Sequence, residues 1–186
     1  MRIERLRIQG LRCLTEAELN LGPSLNVLVG ANGAGKTSVL EAMFLLSHAR
    51  SFRSGARNAL MQRECSQLSI YAELEQRGRT SHLGLGRRAR WEARLDGEVV
   101  TLGKMVGECA VVCFEPGSHA LIAGSAEERR RYMDWGVFHV EQQFLPAWGR
   151  YQRALKQRNA LLRSAQRDDK ALFEPWEHEL QQSAEL

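Results

Sequence analysis

Gly30-Ala31-Asn32-Gly33-Ala34-Gly35-Lys36-Thr37, continued by Ser38, matches glycine, any four residues, glycine, lysine and threonine at every fixed position of a phosphate-binding loop. Its flanks fit that reading. Leu25-Asn26-Val27-Leu28-Val29 precedes it and reads as a strand buried on both faces. Thr37 to Ala49 follows as a helix that is apolar on nearly every side, which requires packing against a sheet. The chemistry follows from backbone freedom. Glycines let successive N–H groups curl around phosphate oxygens, and the helix N-terminus adds a partial positive charge of about half a unit. Lys36 is placed to reach the β and γ phosphates of ATP, and the Thr37 hydroxyl to ligate Mg²⁺. Gly30, Ala31, Asn32, Gly33, Ala34, Gly35, Lys36, Thr37 and Ser38 are therefore the expected nucleotide-binding residues, with Thr37 the metal ligand.

Working outward, residues 3–8 and 16–21 alternate, with Leu6, Ile8, Ala17, Leu19 and Leu21 on one face. They read as two short strands joined through Gly10–Thr15. From Gln67 to Leu102 the pattern is an antiparallel meander, with Asp96-Gly97 as its clearest hairpin turn. Ala110-Val111-Val112-Cys113-Phe114 reads as a further strand. After it the periodicity becomes helical. Ser125 with Glu128 predicts a capping box opening a helix from Ala126 to about Val140. Pro146 begins another helix, on which Trp148, Leu155 and Leu162 recur every seven residues. Trp135, Trp148 and Trp176 are expected in the core. The domain reading is a lobe over 1–124 and a helical lobe over 125–186.

The chain has 186 residues and a net charge of +4. Twenty-two of its 26 basic residues are arginine, and they cluster. Arg50 to Arg90 holds nine arginines against three glutamates, and Arg150 to Lys170 seven bases against two acids. Clustered guanidinium groups suit a polyanion such as nucleic acid, because they pair with phosphate in a bidentate way. Arg53, Arg57, Arg87, Arg88, Arg90, Arg153, Arg158 and Arg163 are the expected DNA contacts, with solvated helix faces as the alternative. Arg129, Arg130 and Arg131 read as structural, pairing along their helix. No run is long and apolar enough to cross a bilayer, and no leader pattern opens the chain, so a cytoplasmic location is expected. Cys13, Cys65, Cys109 and Cys113 lack metal-ligand spacing and read as reduced thiols.

Asn32-Gly33 within the loop resembles the loops of ABC-type and SMC-like ATPases. Four patches are more specific. Ile8-Gln9-Gly10-Leu11-Arg12-Cys13-Leu14 is similar to the opening "F-R-N" segment of RecF and SMC-like heads. Thr37-Ser38-Val39-Leu40-Glu41-Ala42 is similar to "K-T-x-x-L-E-A". Ala49-Arg50-Ser51-Phe52-Arg53 resembles "K-S-F-R". Val112-Cys113-Phe114-Glu115-Pro116, leading to Gly124–Asp134, resembles "F-x-P … G-x-P-x-x-R-R-x-x-L-D". The chain thus resembles the front half of the RecF family. The resemblance implies an α/β fold of the ABC/SMC-like head type: a mixed sheet with an antiparallel meander, and the start of an α-helical second lobe. It adds Arg12 to the nucleotide contacts, and it gives Arg53 a role towards nucleotide or DNA, with a solvated loop arginine as the alternative. It implies an ATP-dependent homodimer that binds DNA at gaps and single-strand/duplex junctions. That dimer would act with RecO and RecR to place RecA in gap repair, replication restart and the SOS response. A strand ending in Asp-Glu and a signature motif, which the family carries in its C-terminal half, are absent from this sequence. ATP turnover by this chain is accordingly not expected. A small-molecule phosphotransferase and an inert or interaction-only fragment are the alternatives.

Overall fold

A computed structural model of the chain describes residues 1–53, 60–114, 116–141, 143–164 and 169–185. They form two units, Met1–Glu115 and Pro116–Leu186.

The first unit is built on a six-stranded antiparallel sheet in the order β2-β1-β3-β4-β5-β6. Its strands are β1 (Arg2–Leu11), β2 (Leu14–Asn20), β3 (Leu68–Gln76), β4 (Arg79–Arg87), β5 (Trp91–Leu95) and β6 (Glu98–Val100). Alternation sets the register. Leu6 faces Leu19 and Ile8 faces Ala17 across β1 and β2, while Leu6 pairs with Ala72 and Ile8 with Ile70 across β1 and β3. One sheet face is therefore apolar, because side chains two residues apart share a side. The other face is polar, with Glu18 accepting from Arg5 and, at 3.0 Å, from Arg7. The turns supply the geometry that tight hairpins need: Arg77-Gly78 and Asp96-Gly97 both have positive φ.

Helix α1 (Lys36–His48) lies on the apolar face, with Ala42, Leu45 and Leu46 fully buried among Leu6, Ile8, Ile70, Leu83 and Leu85. Each such leucine or isoleucine contributes about 1.5–3 kcal/mol by leaving water. The short helix α2 (Leu102–Glu108) was not expected. Thr101 caps it by accepting from the Lys104 N–H at 3.2 Å, and Met105 is its buried anchor.

Two expected strands are not strands. Leu25–Val29 makes no ladder, and Leu25, Val27 and Val29 are 84%, 72% and 89% exposed. Residues 110–114 likewise pair with nothing as a strand, and Phe114 is 84% exposed. Both have strand composition, but a strand exists only where a neighbour takes its backbone groups. Among the described residues no strand pairs with either segment, and the Val111 N–H donates instead to Ser47 Oγ at 2.9 Å.

The second unit holds α3 (Ala120–Ala123), α4 (Ala126–Val140), α5 (Phe144–Leu162) and α6 (Glu174–Ala184). Ser125 occupies the N-cap of α4, yet its side chain makes no cap bond, so the expected capping box does not form. Arg131 pairs with Glu127 one turn back, in line with a structural role for this arginine. On α5 the buried residues are Ala147 and Ala154, each one position ahead of the expected Trp148 and Leu155. Trp148 and Leu162 are exposed, and Trp135 and Trp176 are half-buried. The small residues let α6 approach, and Arg150–Glu179 and Arg158–Glu177, each at 3.2 Å, join the two helices.

Gly10 ends the regular part of β1 at φ +67, where an added Cβ would lie 2.3 Å from the Gln67 carbonyl oxygen. Gly10→Ala is expected to destabilise the first unit by about 2–4 kcal/mol, combining a left-handed alanine with a backbone clash. Gly78→Ala, in an open turn, should cost only about 1–2 kcal/mol. Urea denaturation of both variants tests the contrast.

Candidate functional site

The phosphate loop leads directly into α1. Gly35 is the N-cap at φ 95, in the left-handed region; no side chain caps the helix, and its first turn carries no acid. The amide dipoles at this end are therefore not neutralised by the protein. Gly35 is also pressed against the β1–β2 turn: a Cβ there would lie 2.4 Å from Leu14 Cδ2 and 3.4 Å from Cys13 Sγ. The motif thus needs this glycine chiefly for its left-handed φ, since the crowding falls on the movable end of the Leu14 side chain. Lys36 Nζ donates to the carbonyl oxygens of Gly30 at 2.7 Å and Ala31 at 2.8 Å. It spans the loop while staying partly exposed at its mouth. Thr37 is exposed beside it, whereas Ser38 is buried, with its Oγ 3.8 Å from Cys13 Sγ. The loop and the first turn of α1 together can hold an anion with several phosphate oxygens.

One helical turn beyond Thr37 stands Glu41, a carboxylate with no exposed surface. Arg12 donates to it through Nε at 3.0 Å and Nη2 at 2.7 Å, as a fork. The Ser51 hydroxyl donates to the same carboxylate, and Arg53 Nη1 lies 3.7 Å away. Arg53 is anchored in turn, its N–H donating to Ser51 Oγ at 2.9 Å. Arg12 is on the β1–β2 turn at φ 57, and its N–H donates to the Leu60 carbonyl at 2.8 Å. Burial pushes the Glu41 carboxyl up, but the hydrogen bonds from Arg12 and Ser51 and the charges of Arg12 and Arg53 outweigh it, holding it below its ordinary value. The bond to Glu41 outweighs desolvation at Arg12 and raises that guanidinium. Sequence reasoning named Arg12 and Arg53 but missed Glu41 as their partner. The available signal was a lone acid within an otherwise apolar helix.

The remaining arginines fall in separate places. Arg88 and Arg90 are exposed around the β4–β5 turn, and Arg87 lies 5.5 Å from the Trp91 ring centroid. Arg88 donates to Gln67 at 2.9 Å. Arg57 lies outside the described residues. In the second unit, Arg153, Lys156, Asn159 and Arg163 line one open groove of about 620 Å³ on α5. Arg158 points instead at Glu177 of α6. Lys156 and Asn159 are members of that face which charge counting alone did not single out. Among the described residues, no cluster of three or more His, Cys, Asp or Glu could hold a metal ion. Any Mg²⁺ would be shared between Thr37 and the phosphates of a nucleotide, in keeping with the few protein ligands this ion takes.

Because its folded pKa is depressed, Glu41 contributes stability that is complete above the ordinary value of 4.5 and is lost as pH falls through the lower folded value. Urea unfolding from about pH 6 to about pH 3 should show a steep loss in the parent chain, and Glu41→Gln should flatten part of that slope.

The profile described as "RecF/RecN/SMC N terminal domain" matches residues 2–84. The chain is 48% identical over 192 aligned residues to the DNA replication and repair protein RecF of Xanthomonas oryzae pv. oryzae (strain MAFF 311018), covering 100% of this chain and 52% of that protein. It is 47% identical to RecF of Stenotrophomonas maltophilia (strain R551-3) and 41% identical to RecF of Pseudomonas putida, with coverage of 52% and 50% of those proteins. The chain therefore spans about half the length of the curated relatives it matches. Among solved structures it resembles "the recombination mediator protein RecF-ATP in RecFOR pathway", with a TM-score of 0.85 at 21% identity over 97% of this chain and 50% of that one. A chain from work on "ATP-driven dimerization and DNA stimulated activation of SMC ATPases" aligns at a TM-score of 0.60 and 16% identity, over 73% of this chain and 99% of that one. Those likenesses establish the fold as that of RecF and SMC-type ATPase heads. Over its whole length the chain is similar in sequence to the N-terminal half of the RecF proteins.

Proposed function

We propose that this chain is the ATP-binding portion of a DNA-binding recombination mediator. The observation that carries the reading is the uncapped, acid-free start of α1 behind Gly35, with Lys36 bridging the loop carbonyls at its mouth. In this reading residues Gly30 to Ser38 surround the phosphates of ATP, Lys36 meets the β and γ phosphates, and the Thr37 hydroxyl ligates Mg²⁺. The ammonium has three N–H groups, and two are spent on Gly30 and Ala31, which leaves one for the nucleotide. The role assigned to these residues is binding, not turnover, since the sequence lacks a strand ending in Asp-Glu.

The finer reading rests on the similarity to RecF and the arginine faces. ATP held between two heads would favour a dimer that clamps gapped duplex or single-strand/duplex junctions. Acting in the cytoplasm with RecO and RecR, that dimer would serve gap repair, replication restart and the SOS response by placing RecA. In the second unit DNA would meet the α5 face of Arg153, Lys156, Asn159 and Arg163; in the first, taken by itself, it would meet Arg87, Arg88 and Arg90. Arg53 and Arg57 are further candidates. Phosphate contacts of this kind position DNA without reading its sequence.

Lys36→Ala should weaken Mg-ATP binding by about 1.5–3 kcal/mol, the worth of a hydrogen bond to a charged group. Calorimetric titration measures it, and unchanged affinity would remove the phosphate loop from the reading.

Replacing Arg153, Lys156 and Arg163 together by alanine should weaken binding to any labelled duplex and reduce the salt slope by about one unit for each phosphate left without its cation. ATP affinity should stay unchanged. Fluorescence titrations at several salt concentrations give both quantities, and a variant equal to the parent in slope and affinity would make this groove a solvated face.

A further inference from the structure

Glu41 has no part in phosphate binding as assigned above, yet two of the segments around the loop converge on it. Buried carboxylates require partners, and Glu41 draws its own from residues far apart in sequence: Arg12 before the loop, and Ser51 and Arg53 after α1. Arg12 is the more constrained arginine. Its backbone sits in the left-handed region, and the next two residues, Cys13 and Leu14, abut Gly35 of the loop. Its side chain is only 20% exposed and is held at both Nε and Nη2. An arginine on a turn would otherwise sample many rotamers, and an arriving anion would have to freeze them. Two guanidinium groups gather around a single carboxylate, so the cluster keeps a net positive charge beside the loop.

We propose that Glu41 is a positioning residue for nucleotide binding: its carboxylate clamps the Arg12 guanidinium beside the phosphate loop and fixes the direction from which that cation meets the phosphates. The inference rests on the nucleotide reading above. It differs from mere charge neutralisation, in which Glu41 would only mask Arg12 and weaken its pull on anions.

The test is titration of the full chain with Mg-ATP and Mg-ADP, alongside thermal unfolding of each variant. Glu41→Asp keeps the charge but withdraws the carboxylate by one methylene. Glu41→Gln keeps the shape but removes the charge. Both should lower ATP affinity about five- to tenfold, the scale of one charge-assisted contact. ADP affinity should fall less, because a displaced cation is felt most by the more highly charged ligand. Adding Arg12→Ala to Glu41→Gln should cost no further ATP affinity. Tighter ATP binding by Glu41→Gln would show that the carboxylate only masks Arg12, and equal losses for ATP and ADP would show general loosening; either overturns the proposal. Should Glu41→Gln not fold, Glu41→Asp decides: parental ATP affinity overturns the proposal, and a selective loss supports it. A parent chain that binds neither nucleotide would overturn the nucleotide reading itself, and this inference with it.

Discussion

A carboxylate sealed from water beneath the phosphate loop has to be satisfied by donors, and the first unit is arranged around that requirement. Glu41 takes a fork from Arg12 and a hydroxyl from Ser51, and so joins the β1–β2 turn, helix α1 and the segment after it at one point. The apolar contacts of α1 with the sheet supply most of the attraction, but such contacts are non-directional. A bidentate pair has defined geometry. It fixes how far α1 is rotated on the sheet, and with it the direction in which Lys36 and Thr37 leave the first turn.

The two units are held together internally by different means. In the first, a continuous apolar core runs between α1 and the sheet, and the opposite sheet face is covered by charge pairs and by the Tyr71 hydroxyl 2.8 Å from His82 Nδ1. In the second, α4 contributes no buried residue, and α5 meets α6 through two alanines flanked by ion pairs. Exposed pairs of that kind are worth about 0–1 kcal/mol each. Packing therefore dominates the stability of the first unit and is thin in the second.

What was legible from sequence follows the same division. The phosphate loop was legible because its glycine and lysine positions are fixed by the geometry of holding an anion. The strands β1 to β5 were legible because alternation and positive-φ turns agree. Residues 25–29 and 110–114 misled, since composition records a preference for strand but not the presence of a neighbour. The α5 seam was misplaced by one residue. The heptad of large side chains at Trp148, Leu155 and Leu162 is the stronger sequence pattern, yet the small Ala147 and Ala154 are the residues that α5 buries. Counting arginines could not separate Arg158, spent on Glu177, from Arg153 and Arg163 on an open groove. Glu41 is a single acid on an apolar helix, a pattern that asks for a partner but does not say which arginine supplies it.

The pairing of β1 with β3 sets an order of assembly. The hairpins β3–β4, β4–β5 and β5–β6 join neighbours in sequence through short turns, so each closes a small loop. Joining Leu6 to Ala72 must instead close a loop that contains β2, the phosphate loop and α1. Closure entropy grows with loop length and is met before the long-range contacts repay it. Closure entropy thus favours the meander as the template onto which the N-terminal strand is laid, with the Gly30–Thr37 segment expected to order as that long loop shuts.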